Sequence, residues 1–498
     1  MRPFNEFSLS LSKIASHIGA AKLDNDDEFS KIVITGITHI DLEVQPGDLF
    51  IALPGAKRHG AEFAANAKKR GAVAVVTDLA GVNLINDIPV LVVDNPRLVA
   101  GRIAALFYGE PMRDLTAVAI TGTNGKTTVS TLLYQIFEAA RRDCGLIGTV
   151  ETRIGSEVVA SKRTTPEATD LQALAAVMKE RHMRHLVIEA SSHAMSMHRL
   201  EGAHFAIAAF TNLTQDHLDF HGNMENYFAA KSSLFQYEFA DLAVINIDGI
   251  YGSKLAASTE LPVISISRSN PNSVWHFVEI DSQSKRVHLK IRGTGGILIE
   301  TSTLLRGGYN YDNLLMAIAI AVELGVDPID IAAIVPNLSG AAGRLEEISL
   351  GQAFTALVDY AHTPDAVSNV LASIREFTKG KVIAVLGCGG DRDPGKRPLM
   401  GMALKSGADV AIFTSDNPRS EDPDLILQAM CAGVEVVNPS QTIADRAEAI
   451  SYAVSIAKAG DTVAILGKGH EKGQEIKGET FDFDDRTYLA QAIEAKND

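Results

Sequence analysis

The chain is predicted to be α/β, in three domains: a central P-loop domain with a parallel-rich sheet, a C-terminal Rossmann-like domain, and a smaller α/β domain before them. Three observations carry this prediction. Short apolar runs alternate with helical patterns along the whole length. A glycine-rich stretch, "ITGTNGKTTV" (Ile120–Val129), follows one such run and opens a helical one. Finally, 498 residues with 46% hydrophobic content are enough for about three packed cores.

The elements follow in order. In residues 1–100 the runs "GAVAVVTD" and "IPVLVVD" read as strands, and "AEFAANAKKR" and "RLVAGRIAALFYG" as helices. In residues 101–340 the strands are "DLTAVAIT", "HLVIEA", "FAIAAFTNL" and "LAVINID", closing with the helix "NYDNLLMAIAIAVELG". The segment "KSSLFQYE" also looks helical, with Lys231 at its start. In residues 341–498 "FTALVDYAH", "KVIAVLGCG", "ADVAIFTSD" and "DTVAILGKG" are each followed by a helical pattern, the rhythm of a parallel sheet. There is no short internal repeat.

Charge and leader signals narrow the function. Acidic residues number 61 against 46 basic, a formal charge of −15, which argues against a broad nucleic-acid or anionic-membrane surface. The N-terminus "MRPFNEFSLSLSK" has no sustained apolar stretch, and no segment reaches the roughly 18 uninterrupted apolar residues of a membrane helix. A cytoplasmic monomer is expected. Cys144, Cys388 and Cys431 are far apart without metal-ligand spacing, so each is expected to be a small buried apolar residue.

The glycine-rich stretch carries the first chemistry. Ile120 stands where the usual G-x-x-x-x-G-K-[ST] loop has its first glycine, but Gly125-Lys126-Thr127-Thr128 sits at the strand–helix junction where phosphate binding needs it. Backbone N–H groups of Gly122, Thr123, Asn124 and Gly125 and of the helix start would surround phosphate oxygens. Lys126 would neutralise the β and γ phosphates, and the Thr127 hydroxyl would ligate Mg²⁺. The alternative is a tight glycine turn with a solvated lysine. Glu189, ending "HLVIEA", is placed to complete the Mg²⁺ site or is a generic strand-end glutamate.

Further motifs follow: "VIEASSHAMSMHR", "FTNLTQDHLDFHGNMENYFAAKSSLF", "GGYNYDNLLMA", "GRLEEI", "VDYAHTPDA", "GCGGDRDPGKRPLM", "SDNPR" and "LGKGHEKGQ". Together with the modified phosphate loop they resemble the Mur ligase family, in the order found in its muramyl-tripeptide synthetases. The resemblance covers nearly everything after about residue 100. It implies an ATP-dependent, ADP-forming ligase that joins meso-diaminopimelate to UDP-N-acetylmuramoyl-L-alanyl-D-glutamate. Lysine-adding relatives, folylpolyglutamate synthase and a non-catalytic P-loop regulator remain the alternatives.

The resemblance also implies roles. Lys231 would react with CO₂ to give a carbamate, an N6-carboxylysine, that shares a second Mg²⁺ with His217; the reaction needs a neutral, partly desolvated amine. Asn313 would read adenine with Asn310 beside it, although helix capping explains either asparagine as well. Arg344 and Asp359 would reach the γ-phosphate and ribose. Thr164, Thr165, Ser191 and Arg199 match positions that hold the nucleotide-sugar peptide, and Met197 replaces a glutamine found in some relatives. The resemblance also implies uridine contacts through Asp41, although Ile40, Asp41 and Leu42 stand where many relatives read Asp-Ser-Arg, and His59 where they have aspartate.

The amino-acid pocket rests on Asp416-Asn417-Pro418-Arg419, because its arginine accompanies diaminopimelate in the family. A planar guanidinium matches that substrate's extra carboxylate. Arg392 would add charge, and Gly467 with Glu471 would receive the distal ammonium. An identical tetrapeptide, Asp94–Arg97, is expected only to turn the chain into a helix.

Overall fold

The computed structural model describes residues 1–22, 29–55, 57–161, 163–282 and 286–497. One compact unit comprises Met1–Gly122, Leu133–Thr211 and Glu225–Ser265; a second comprises Thr123–Leu132, Asn212–Met224 and Ile266–Asp498.

The first unit contains a five-stranded sheet ordered Ala21–Lys22, Val90–Val92, Ala74–Thr77, Asp48–Ile51, Gly36–Thr38, parallel except for its first strand. Leu49, Ile51, Val76 and Leu91 pack with Ile103 and Phe107 of the helix Pro96–Phe107 and with Leu11 and Ile14 of the helix Leu11–Ile18. The first DNPR copy does start a helix: Asn95 caps Pro96–Phe107 by accepting from the N–H groups of Arg97 (3.0 Å) and Leu98 (3.4 Å). That helix runs through residue 100, the boundary suggested by the sequence.

A second sheet in this unit is ordered Glu157–Ala160, Glu151–Ile154, Cys144–Ile147, His185–Glu189, Thr116–Thr121, Phe205–Phe210, Ala240–Asn246, Val263–Ser267. Its central strands are parallel. Ala117–Ile120, Leu186–Ile188 and Ala208–Phe210 are all buried, so these strands read as unbroken apolar runs without alternation. The helix Lys126–Ala139 turns Val129, Leu132, Leu133, Ile136 and Phe137 inward, the face that their spacing predicts.

In the second unit a six-stranded sheet is ordered Glu346–Glu347, Thr355–Asp359, Thr462–Leu466, Val382–Cys388, Val410–Ser415, Gln441–Thr442, parallel except for its first strand. One face packs Leu386 and Phe413 against Leu371, Met400 and Leu404; the other packs Val358 and Ile465 against Ile450, Val454, Leu489 and Ile493. This is the Rossmann-like doubly covered sheet. The unit also holds the antiparallel strands Trp275–Asp281, Val287–Arg292 and Leu298–Thr303, which the sequence reading did not single out.

Two expectations are corrected. Lys231 lies near the end of the helix Met224–Ser232, whose apolar anchors Tyr227 and Phe228 precede it, and does not begin one. Cys144 and Cys388 are buried, but Cys431 is only partly so, because it follows the last turn of the helix Pro423–Met430. Among the described residues no helix is long and apolar enough to cross a membrane.

Candidate functional site

The strand Thr116–Thr121 delivers the chain into the phosphate loop, where Gly122 (φ +147°) and Gly125 (φ +89°) adopt conformations that other residues rarely take. A Cβ on Gly125 would also collide with Asn313 Oδ1. The "FTNLT" segment braces the loop. Thr123 N–H donates to the Asn212 carbonyl (2.9 Å) and Asn124 N–H to Asn212 Oδ1 (3.0 Å), while Asn212 Nδ2 donates to the Asn124 carbonyl (3.1 Å). Thr214 N–H donates to Thr123 Oγ1 at 3.0 Å. Lys126 Nζ folds back onto the Thr123 carbonyl at 2.9 Å. Thr127 and Thr128 are buried in the first helical turn, so this is a preformed cradle.

Asn310 and Asn313 lie inside the helix Gly308–Glu323, whose cap is Gly307, so neither asparagine is a capping residue. Asn310 Nδ2 donates to the Arg306 carbonyl (2.9 Å), and its Oδ1 is buried without a hydrogen-bond partner among the described residues. Asp216 pairs with Lys396 Nζ (2.9 Å) and faces the imidazole of His217, a residue held at φ +53°. Burial pushes the Asp216 carboxyl up, but His217 and Lys396 outweigh it and hold it at about 2.

In the first unit, Glu189 ends its strand with both carboxylate oxygens engaged by Thr149, through N–H and Oγ1, each at 2.9 Å. Thr149 Oγ1 lies 3.0 Å from Thr164 Oγ1, and Thr165 Oγ1 donates to the Glu189 carbonyl (2.7 Å) and accepts from Ser191 N–H (3.1 Å). Arg199 donates to the Thr165 carbonyl (3.2 Å) and contacts Met197 Sδ (3.4 Å). Thr164, Thr165, Ser191, Met197 and Arg199 are thus gathered at the end of the Glu189 strand.

Glu167 anchors this group, taking Arg199 at 3.0 Å, Arg97 at 3.2 Å and Arg163 at 2.6 Å. Burial, then Arg163 and Arg97, press the Arg199 guanidinium below its ordinary range against the pull of Glu167. Asp41 is not part of the group. It starts a short 3₁₀ turn and accepts from Asn66 Nδ2 at 2.5 Å. His59 forms a capping box with Glu62, a local structural role.

Lys231 is 1% exposed, with Nζ 2.8 Å from the Gly122 carbonyl and 4.8 Å from the centre of the Tyr227 ring. An amine so enclosed has little contact with water, and its partners include the Gly122 carbonyl and the Tyr227 ring face.

Within the Rossmann-like sheet the motifs sit at the carboxyl ends of parallel strands, where such folds place ligands. Asp359 accepts from the N–H groups of Leu345 (2.7 Å) and Ala361 (2.8 Å); burial pushes its carboxyl up, opposed by Arg344 and those two donors. Arg344 stacks 4.7 Å over the Tyr360 ring, and His470 lies 5.1 Å from it.

Asn417 Nδ2 donates to Glu471 Oε2 at 2.9 Å. Arg419 adopts φ +53°, donates from Nη1 to the Gly390 carbonyl (2.6 Å) and pairs with Glu475 (3.3 Å). A Cβ on Gly389 would approach both Arg419 and Arg392, and one on Gly467 would approach Asp416 Oδ2, so these positions converge. Pro418 turns the motif, its carbonyl accepting from Glu421 N–H.

Several participants escaped the sequence reading. Thr149 and Glu167 carry no motif of their own, and Arg446 and Asp485 lie in ordinary helical stretches. Lys468 stood inside "LGKGHEKGQ", flanked by glycines, the one available signal.

A strand-borne phosphate loop and a Rossmann-like sheet carrying convergent charged motifs are the parts of a nucleotide-dependent enzyme, and by its matches the chain belongs to the Mur ligase family. Residues 33–108 match the Mur ligase family catalytic domain, 120–321 the Mur ligase middle domain, and 343–469 the Mur ligase glutamate ligase domain. The chain is similar to the UDP-N-acetylmuramoyl-L-alanyl-D-glutamate--2,6-diaminopimelate ligase of Streptomyces coelicolor, 46% identical over 99% of this chain and 98% of the relative. The ligase of the same name from Bacillus velezensis is 39% identical over 97% and 99%. A solved structure bearing that name superposes with a TM-score of 0.69 at 32% identity, covering 99% of this chain and all of the other. A folylpolyglutamate synthase of Mycobacterium tuberculosis (TM-score 0.61, 18% identity, 74% of this chain and 92% of the other) shares the fold alone.

Proposed function

We propose that this chain is the ATP-dependent ligase that adds meso-diaminopimelate to UDP-N-acetylmuramoyl-L-alanyl-D-glutamate, working in the cytoplasm as a monomer in peptidoglycan precursor synthesis. The three-domain division at residues 100 and 340 is part of this reading. One observation carries it: a preformed phosphate loop occurs in the same chain as Asn417, Arg419 and Glu471, a charged motif set at sheet ends suited to a zwitterionic amino acid.

Joining a carboxylate to an amine in water requires acyl activation, which ATP can supply as an acyl phosphate. Gly122–Thr128 bind the phosphates, with Lys126 released from Thr123 to meet the γ-phosphate. Asn310 and Asn313 address the base, Arg344 the γ-phosphate and Asp359 the ribose. Thr127, Glu189, His217 and carbamylated Lys231 would be the hard oxygen and nitrogen donors to Mg²⁺, and two such ions would lessen repulsion between phosphate and carboxylate. The buried amine of Lys231 supports carbamylation.

Thr164, Thr165, Ser191 and Arg199 hold the nucleotide-sugar peptide, with Met197 packed on Arg199 and Asp41 near the uridine. In the amino-acid pocket Arg419, with Arg392 and Asn417, grips the distal carboxylate. Gly467 and Glu471 receive the distal ammonium, and Asp416 with Pro418 shapes the turn.

The route is tested with ¹⁸O in the D-glutamyl carboxylate: ligation should move label into inorganic phosphate. Unlabelled phosphate would rule the acyl phosphate out.

A further inference from the structure

Lys468 is fully buried at 0% exposure, between two glycines whose positive φ angles (+113° at Gly467, +54° at Gly469) turn its side chain inward. Side chains at either glycine would strike Asp416 or Tyr360, so the backbone has little room to relax. The ammonium donates to Asn417 Oδ1 at 3.0 Å and to Glu471 Oε2 at 3.2 Å. Asn417 Oδ1 also accepts from Glu475 N–H (3.0 Å), while Asn417 Nδ2 donates to the same Glu471 Oε2 (2.9 Å). Flipping the amide would point its NH₂ at an ammonium and an N–H group together, so one orientation is locked.

A buried ammonium is costly unless paired, and here its pairing is spent on two residues of the amino-acid pocket. We propose that Lys468 is a positioning residue that sets amino-acid affinity and selectivity by holding the Asn417 amide and the Glu471 carboxylate in one fixed arrangement. The inference rests on the assignment of Asn417 and Glu471 to the amino-acid pocket. Without the ammonium the amide can rotate and Glu471 can swing, so the pocket would discriminate poorly between amino acids that differ at the distal centre. ATP and nucleotide-sugar contacts do not depend on it.

The test compares wild type with Lys468→Met and Lys468→Arg, the second retaining charge in case the first fails to fold. With whichever amino acid wild type prefers, the KM for that amino acid should rise at least ten-fold in Lys468→Met, and the preference among meso-diaminopimelate, L-lysine and L-ornithine should shrink at least ten-fold. The KM values for ATP and nucleotide sugar should stay within two-fold. Lys468→Arg should show the same pattern more weakly, since a planar fork cannot reproduce the two contacts of a point charge. Unchanged amino-acid KM and preference in a folded variant, or equal increases in all three KM values, would overturn the proposal. A wild-type preference for lysine would instead overturn the assigned function while leaving this test intact.

Discussion

Arg446 and Asp485 form a fully buried bidentate ion pair, Nε to Oδ1 and Nη2 to Oδ2 both at 2.7 Å, and the same guanidinium donates to the carbonyls of Ser415 (3.2 Å) and Leu466 (2.9 Å). Those carbonyls end the strands that lead into Asp416–Arg419 and Gly467–Glu471. One cation therefore ties together the two strand ends from which the amino-acid motifs emerge. Arg446→Met, which leaves Asp485 buried and unpaired, should lower stability by about 3–5 kcal/mol in urea unfolding. Arg446→Met with Asp485→Leu should recover much of that stability; a single variant as stable as wild type would contradict the clamp.

Gly125 has no room for a side chain, because φ is +89° and Asn313 Oδ1 occupies the Cβ direction. Gly125→Ala should cost about 1 kcal/mol or more of stability and weaken ATP binding, with little effect on the amino-acid KM. Isothermal titration with ATP checks this, and wild-type affinity would show that the loop tolerates a Cβ.

Much of this site was legible because its chemistry is local in sequence. The phosphate loop and its flanks fall within the ten residues Ile120–Val129, from strand end to first helical turn, and the face Val129–Phe137 follows helical spacing. DNPR and GKGHE each stand at a strand end. What stayed hidden depends on distant pairs. Thr149 meets Glu189 across 40 residues, and Arg446 meets Asp485 across 39. The burial of Lys231 has no local signal, because a buried amine and an exposed one have the same letter. The antiparallel strands after Val263–Ser267 lack the unbroken apolar runs that mark the parallel strands; "VHLKIR" instead alternates apolar and polar residues, burying Val287, Leu289 and Ile291 on one face.

Lys231→Ala should nearly abolish ligation while leaving the thermal transition intact, and a short carboxylic acid in solution should restore part of it by standing in for the carbamate. Glu189→Ala and His217→Ala should each raise the Mg²⁺ concentration needed for half-maximal rate, by about 10-fold or more. A fully active Lys231→Ala protein would discard the carbamate.

His470 gives the protein an acid-sensitive term. Burial, then Arg344 and Arg486, push its imidazole from 6.5 down to about 4. Between those values the unfolded chain binds a proton that the folded chain refuses, so stability is retained above pH 6.5 and falls as pH drops toward 4. At pH 5 the loss is about 2 kcal/mol relative to pH 7 from this group. Urea midpoints at the two pH values should differ more for wild type than for His470→Gln; equal differences would remove His470 from the account.

The central claim is the identity of the added amino acid, and kcat/KM for meso-diaminopimelate, L-lysine and L-ornithine tests it most directly. A strong preference for meso-diaminopimelate is expected, and if Arg419 is the partner of the distal carboxylate, Arg419→Ala should reduce that preference roughly 30-fold or more. A wild-type preference for lysine or ornithine, or unchanged selectivity in Arg419→Ala, would contradict it.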